Sequence, residues 1–241
     1  METNHEHLIN RRDGERGNAL IYVLIAIALF AALSMTLSRQ TDTSEADTLP
    51  DERAELIATQ MISYSAQVKS VIDQMLFTDA KIDNLDFTMP TAGGFNTPPN
   101  LDKVYHPEGG GLNPAVLPAE AIASNPSNNP PLGWYLGRFN NVEWTDRPAG
   151  EKDDVILVAY QISRQLCEKI NMKIMGTTDI PTMTDSIKET MIQGSIYAGT
   201  NVDLSTDPAG SPICADCHKQ STLCVQDATP AYGFYTIIAD Q

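Results

Sequence analysis

The sequence predicts an α+β fold. A long N-terminal helix, transmembrane in its first part and amphipathic in its second, is expected to pack on a small, mainly antiparallel sheet bearing a long Pro/Gly-rich loop insert. Three observations lead there. From Ala19 to Leu37 no residue is charged, and only Tyr22, Ser34 and Thr36 carry polar side chains. Between Leu56 and Met75 apolar residues recur at intervals of three and four. Towards the C-terminus, Val155 to Tyr160 and Tyr232 to Ala239 read as strands, with a helical pattern after the first of them.

At about 1.5 Å rise per residue the charge-free run reaches roughly 30 Å, enough to cross the hydrocarbon of a bilayer. It follows Arg11-Arg12-Asp13-Gly14-Glu15-Arg16-Gly17 with no polar spacer. Arg11, Arg12 and Arg16 place the N-terminus in the cytoplasm under the positive-inside rule. A secretory signal peptide has an apolar core of about 7–15 residues ending at a small-residue cleavage site. This run is longer, and its A-x-A candidate, Ala26-Ile27-Ala28, lies in mid-run. A plain single-pass anchor is the rival reading, because any apolar helix of this length would serve.

The junction resembles the N-terminus of type IV pilin-like proteins (prepilins and pseudopilins), in which a basic leader ends in a Gly directly before the hydrophobic helix. The resemblance covers Arg11 to about Leu37. It implies cleavage after Gly17 by a prepilin peptidase, which usually methylates the new amino group, here that of Asn18. The implied organisation is a cytoplasmic leader (1–17), a transmembrane and filament-core helix (18–40), a flexible break (41–50) and a periplasmic or extracellular pilin-like globular domain (51–241). Two positions depart from the family pattern: Asn18 stands where Phe or Met is common, and Tyr22 where the fifth mature residue is usually Glu. In major subunits that carboxylate is thought to meet a neighbour's amino terminus, since an unpaired buried charge is costly. Tyr22 cannot make that contact. The run Arg16-Gly17-Asn18-Ala19-Leu20-Ile21 is similar to that of minor pilins and of the tip pseudopilin of type II secretion, which prime or cap a filament. The implied partners are prepilin peptidase, other pilin or pseudopilin subunits through the N-terminal helix, and the bacterial inner membrane.

After the polar stretch Thr41 to Thr48, Thr48 and Asp51 stand in a capping-box-like relation, with Pro50 in the first turn. The amphipathic stripe then runs through Leu56/Ile57, Met61, Tyr64, Val68, Val71/Ile72 and Met75 to a stop near Phe77. Such a stripe is a core-packing face. From Pro90 to Pro131 the chain holds nine of its fifteen prolines, together with Gly93-Gly94 and Gly109-Gly110-Gly111. Neither helix nor central strand tolerates that density. Long ordered loops are expected there, with short strands at Asp86 to Met89 and Lys103 to His106, and an insert of this length is a plausible recognition surface. A strand is expected around Val142 and Trp144, within Trp134 to Trp144, and a two-face-buried strand at Val155 to Tyr160. Ile162, Leu166, Ile170 and Ile174 then keep helical step up to Gly176. A further short helix is expected from Thr182 to Gln193, and Asp203 to Gln226 reads as polar loop.

Composition excludes several classes. The chain has 241 residues and a net charge of −15; its leader, Met1 to Gly17, carries three basic and four acidic side chains, so the remainder keeps −14. No Lys/Arg cluster is present, so nucleic-acid binding through counterion release is not expected. Pro107-Glu108-Gly109-Gly110-Gly111 lacks the Lys of a phosphate loop, and neither G-x-S-x-G nor H-E-x-x-H occurs. His5 and His7 lie in the leader, leaving His106 and His218. No enzyme is expected.

The four cysteines, Cys167, Cys214, Cys217 and Cys224, all lie beyond the apolar helix, in what the topology makes an oxidising compartment. Three pairings are open. Pilin-like proteins often tie their C-terminal region down with a bridge, and the resemblance favours Cys167–Cys224, leaving Cys214 and Cys217 to pair locally. The same residues offer a sharper alternative. Cys214-Ala215-Asp216-Cys217-His218 is a C-x-x-C-H string, which would attach haem c through two thioethers with His218 as proximal ligand. His106, Met172 or Met175 could then supply the sixth ligand. Zinc on Cys214, Cys217, His218 and Cys224 requires reduced thiols. Asp203, Ser205 and Asp207, followed by Gly210, alternate oxygens as a calcium loop does, without the distant Glu of an EF-hand. No cofactor is the expectation. The functional expectation is a minor pilus or type II secretion-like subunit; the alternatives are a membrane-anchored periplasmic c-type haem protein and a non-polymerising single-pass adhesin.

Overall fold

A computed structural model describes residues 21–31, 50–140, 154–192 and 213–240. The chain divides into two compact units, Met1–Thr48 and Leu49–Gln241. In the first, residues 21–31 form a helix (α1). Among the described residues no helix is long and apolar enough to cross a membrane; the rest of the expected 18–40 span lies outside them.

The described residues of the second unit are α+β: two α-helices, α2 (Asp51–Phe77) and α3 (Arg164–Met175), and a four-stranded antiparallel sheet. The strands are β1 (Gly133–Asn140), β2 (Asp154–Ile162), β3 (Thr222–Gln226) and β4 (Tyr232–Ala239), in the order β1-β2-β4-β3. β2 is central and buried along its whole length, which is why its sequence is continuously apolar rather than alternating. Leu157 and Ala159 face the α2–α3 layer, together with Phe234 of β4. Ile156, Val158 and Tyr160 face the other way, onto Met183, Ile187 and the Cys214–Cys217 turn.

Pro50 is the N-cap of α2, not a residue of its first turn as expected, and its carbonyl accepts from the Arg53 and Ala54 amides. Among the described residues no side chain caps this end; Thr48 lies outside them. Asp51 and Glu52 complement the helix dipole instead. The helix buries Ala54, Ile57, Ala58, Met61, Ser65, Val68, Ile72 and Met75, the expected stripe with Leu56 turned outward. It closes in a Schellman arrangement, with the Ala80 amide on the Met75 carbonyl and Asp79 at φ 75°, a position where glycine is usual. The first half of α2 packs with Leu166 and Ile170 of α3, and the second half over Val155 and Leu157 of β2. Lys169 of α3 reaches Asp51 (2.5 Å) and Glu55 (3.7 Å).

Four expectations change. The first strand is Gly133–Asn140, earlier than the Val142–Trp144 region, which lies outside the described residues. Thr222–Gln226, where loop is expected, is an edge strand, because α3 covers Cys224 from one side and the Cys214–Cys217 turn covers Leu223 and Val225 from the other. Thr182 to Gln193 is not one helix. The Ile187 amide donates to Asp227 Oδ2, and among the described residues of this range the helical part begins at Ile187, with Lys188–Ile192 in a π-turn. The two short strands of the insert reduce to one parallel bridge, Asp86 with Lys103.

Candidate functional site

On α1 the side chains Ile21, Tyr22, Val23, Leu24, Ile25, Ile27, Leu29 and Phe30 are all exposed within their own unit, Tyr22 by 66%. An apolar surface on every side is what a helix built to sit among lipid tails or other apolar helices presents. Gly17 and Asn18 lie outside the described residues.

The cysteine region is built from α3, β3 and the turn before β3. Ser163 caps α3, its hydroxyl accepting from the Leu166 amide at 3.3 Å, and Gly176 at φ 76° closes the helix. That places Cys167 one turn in, disulfide-bonded to Cys224 with a Cα separation of 5.4 Å. One turn further along α3, Asn171 is fully buried, and its carboxamide holds both backbone groups of Cys224. Sequence reasoning missed Asn171; the available signal was a polar residue at a position (i+4 from Cys167) that the helical stripe buries.

Cys214 and Cys217 form the second disulfide around the single turn Ala215–Cys217. Both sulfur-bearing residues are buried in the core, while His218 is exposed. The residues do not fit a c-type haem in this state: each sulfur a thioether would need is bonded to the other, and the proximal histidine does not sit in the apolar cluster. Of the suggested sixth ligands, His106 is buried in the insert against Phe95, and Met172 is 45% exposed. Zinc meets the same obstacle, because all four cysteines are in disulfides. Among the described residues no group of three or more His, Cys, Asp and Glu is placed to hold a metal ion. Asp203, Ser205 and Asp207 lie outside them.

The insert is ordered and tied to the sheet. The amide of Ala123 donates to the Gln161 carbonyl (3.0 Å) and that of Ser163 to the Ala121 carbonyl (2.7 Å). Gln161, a buried residue at φ 62°, uses its carboxamide on the backbone of Ser127 and Pro130. A cleft of about 540 Å³ opens there, between residues 123–129 and the turns at 185–189 and 228–231. Behind the 228–231 turn the buried Asp227 carboxylate is satisfied by the amides of Ile187, Thr229 and Ala231 and by the Thr229 hydroxyl. Burial raises the Tyr160 phenol at the cleft wall, helped by the Asp227 charge. The Asp227 carboxylate and the hydroxyl and amides around it thus serve one another.

Comparisons with protein-family models, with curated proteins and with solved structures find no match to this chain.

Proposed function

We propose that this chain is a structural subunit of a type IV pilus or type II secretion-like filament, made as a precursor and cut after Gly17. The observation that carries the reading is the junction itself, Arg16-Gly17-Asn18 set directly against the charge-free run Ala19 to Leu37. In this reading the helix from Asn18 to Leu37 first spans the inner membrane with its N-terminus in the cytoplasm. It then leaves lipid to pack against sister helices, and the disulfide-bonded domain stays on the periplasmic or outer side. Two further features support it. Residues of α1 present apolar side chains all round, and α2 lies with one face on an antiparallel sheet, as the second half of a pilin-like helix does. Tyr22 has no charge to offer a neighbour's amino terminus, so the subunit belongs at the priming or tip position rather than in the repeating shaft.

The test is co-expression with a prepilin peptidase. Wild-type protein should lose Met1 to Gly17, and Gly17→Val should stay at precursor size. A wild-type chain that is never shortened removes the main support and leaves the single-pass adhesin as the better reading, since an uncut apolar helix is simply an anchor.

A further inference from the structure

Lys103 is only 4% exposed, and four oxygens surround its Nζ: the carbonyls of Gly94 (2.8 Å), Phe95 (2.8 Å) and Thr97 (2.5 Å), and Asn100 Oδ1 (3.0 Å). No carboxylate is among them. Burying an ammonium is costly unless other dipoles replace its water, and here backbone carbonyls do so. A protonated lysine has three N–H donors and no acceptor, so four acceptors suit the charged form. Asn100 is held in the orientation this requires, because its Nδ2 donates to Glu108 Oε2 at 2.9 Å and leaves Oδ1 free to face the lysine. The backbone around the site is equally fixed. The Lys103 amide donates to the Asn100 carbonyl and the Lys103 carbonyl accepts from Gly110, while a Cβ on Gly109 would collide with that same carbonyl.

We infer that Gly94, Phe95, Thr97 and Asn100 form a monovalent-cation site that the chain fills with its own Lys103 ammonium, and that this cation sets the course of residues 94–100. Neutral oxygens without a carboxylate suit a primary ammonium or an ion of potassium type better than a divalent one. The Pro/Gly-rich insert thereby owes its shape to a captured charge as well as to Phe95, Val104 and Leu112 in the core beneath it. The inference is independent of the filament reading.

The experiment is chemical rescue of the full-length Lys103→Ala chain, followed by segment-resolved hydrogen exchange. Alanine removes Cγ to Nζ, the atoms that propylammonium can replace. The variant should exchange amides of residues 94–104 at least about tenfold faster than wild type, with β2 and β4 unchanged. Propylammonium should restore the protection; propanol and tetramethylammonium, which lack an N–H cation, should not. Wild-type protection in the unrescued variant, or equal rescue by the controls, overturns the inference. Should the variant fail to fold, wild-type protein decides: Lys103 should give a protonated, slowly exchanging ammonium signal by NMR, and a freely exchanging amine overturns the idea. Intact mass adds an independent check. Loss of one ammonia, mapped by peptide analysis to a Lys103–Asn100 cross-link, would mean that Nζ has bonded to Asn100 Cγ with Nδ2 leaving as ammonia, so that no ammonium remains, and would also overturn it.

Discussion

Asn171 grips Cys224 through both of its backbone polar groups: Oδ1 accepts from the Cys224 amide at 2.9 Å, and Nδ2 donates to the Cys224 carbonyl at 2.8 Å. Nδ2 also donates to the Asp179 carbonyl. The carboxamide does for the outer edge of β3 what another strand would do, and Pro181 and Met183 pair with Gln226 further along. An edge strand left open is a template for unwanted pairing; here a helix side chain closes it.

Asn171→Leu should therefore be costly even though it leaves no cavity. It leaves a buried amide and a buried carbonyl of Cys224 without partners, at about 1–3 kcal/mol per group. We expect a loss of about 4 kcal/mol in urea unfolding with both disulfides intact, from two such groups at the middle of that range. A loss under about 0.5 kcal/mol, the size of an ordinary surface substitution, would show that β3 does not depend on this contact.

The two disulfides should contribute unequally. Cys167–Cys224 closes a sequence separation of 57 and Cys214–Cys217 one of 3. Chain entropy then gives about 4 kcal/mol for the first and about 2 kcal/mol for the second. Alanine at both positions of each pair, compared by denaturant midpoint, should preserve that order. The untreated protein should show no haem absorbance.

Gly110→Ala tests how tightly the insert is seated. Its Cβ would lie 2.5 Å from the Val104 carbonyl, 2.8 Å from Met75 Sδ and 2.9 Å from Val71 Cγ1. Overpacking of this kind costs about 1–3 kcal/mol. Gly93→Ala, with nothing within 4 Å, is the control and should leave the melting temperature unchanged.

Alkaline pH should unfold the domain. Burial raises the phenols of Tyr105 and Tyr235 far above their usual value, and those of Tyr64 and Tyr160 less so. Above about pH 10 the folded state thus holds more protons than the unfolded chain, so stability is full below about pH 10 and falls as pH climbs through the raised values. Phenolate absorbance of these four should appear together with loss of tertiary structure. Smooth titration of all tyrosines near the ordinary phenol value in a folded protein contradicts this.

What was legible in the sequence is what local pattern determines. The stripe from Ile57 to Met75, the apolar run of β2 and the Gly176 stop follow from periodicity and one glycine. β3 was not legible because Thr222 and Gln226 are polar and the burial of Cys224 comes from α3, an element remote in the chain. The turn at 185–192 depends on Asp227, equally remote. At the candidate sites, the cysteine count signalled disulfides, but the sequence reading singled out neither Asn171 nor the side chain of Lys103. The role of Asn171 needs Cys224, remote in the chain, and that of Lys103 needs the fold of residues 94–100 just before it.

N-terminal sequencing of the protein recovered from membranes of a cell with a prepilin peptidase tests the filament reading most directly. The expected first residue is Asn18, with its amino group methylated. A chain beginning at Met1, or a free domain cut beyond Leu37, contradicts it.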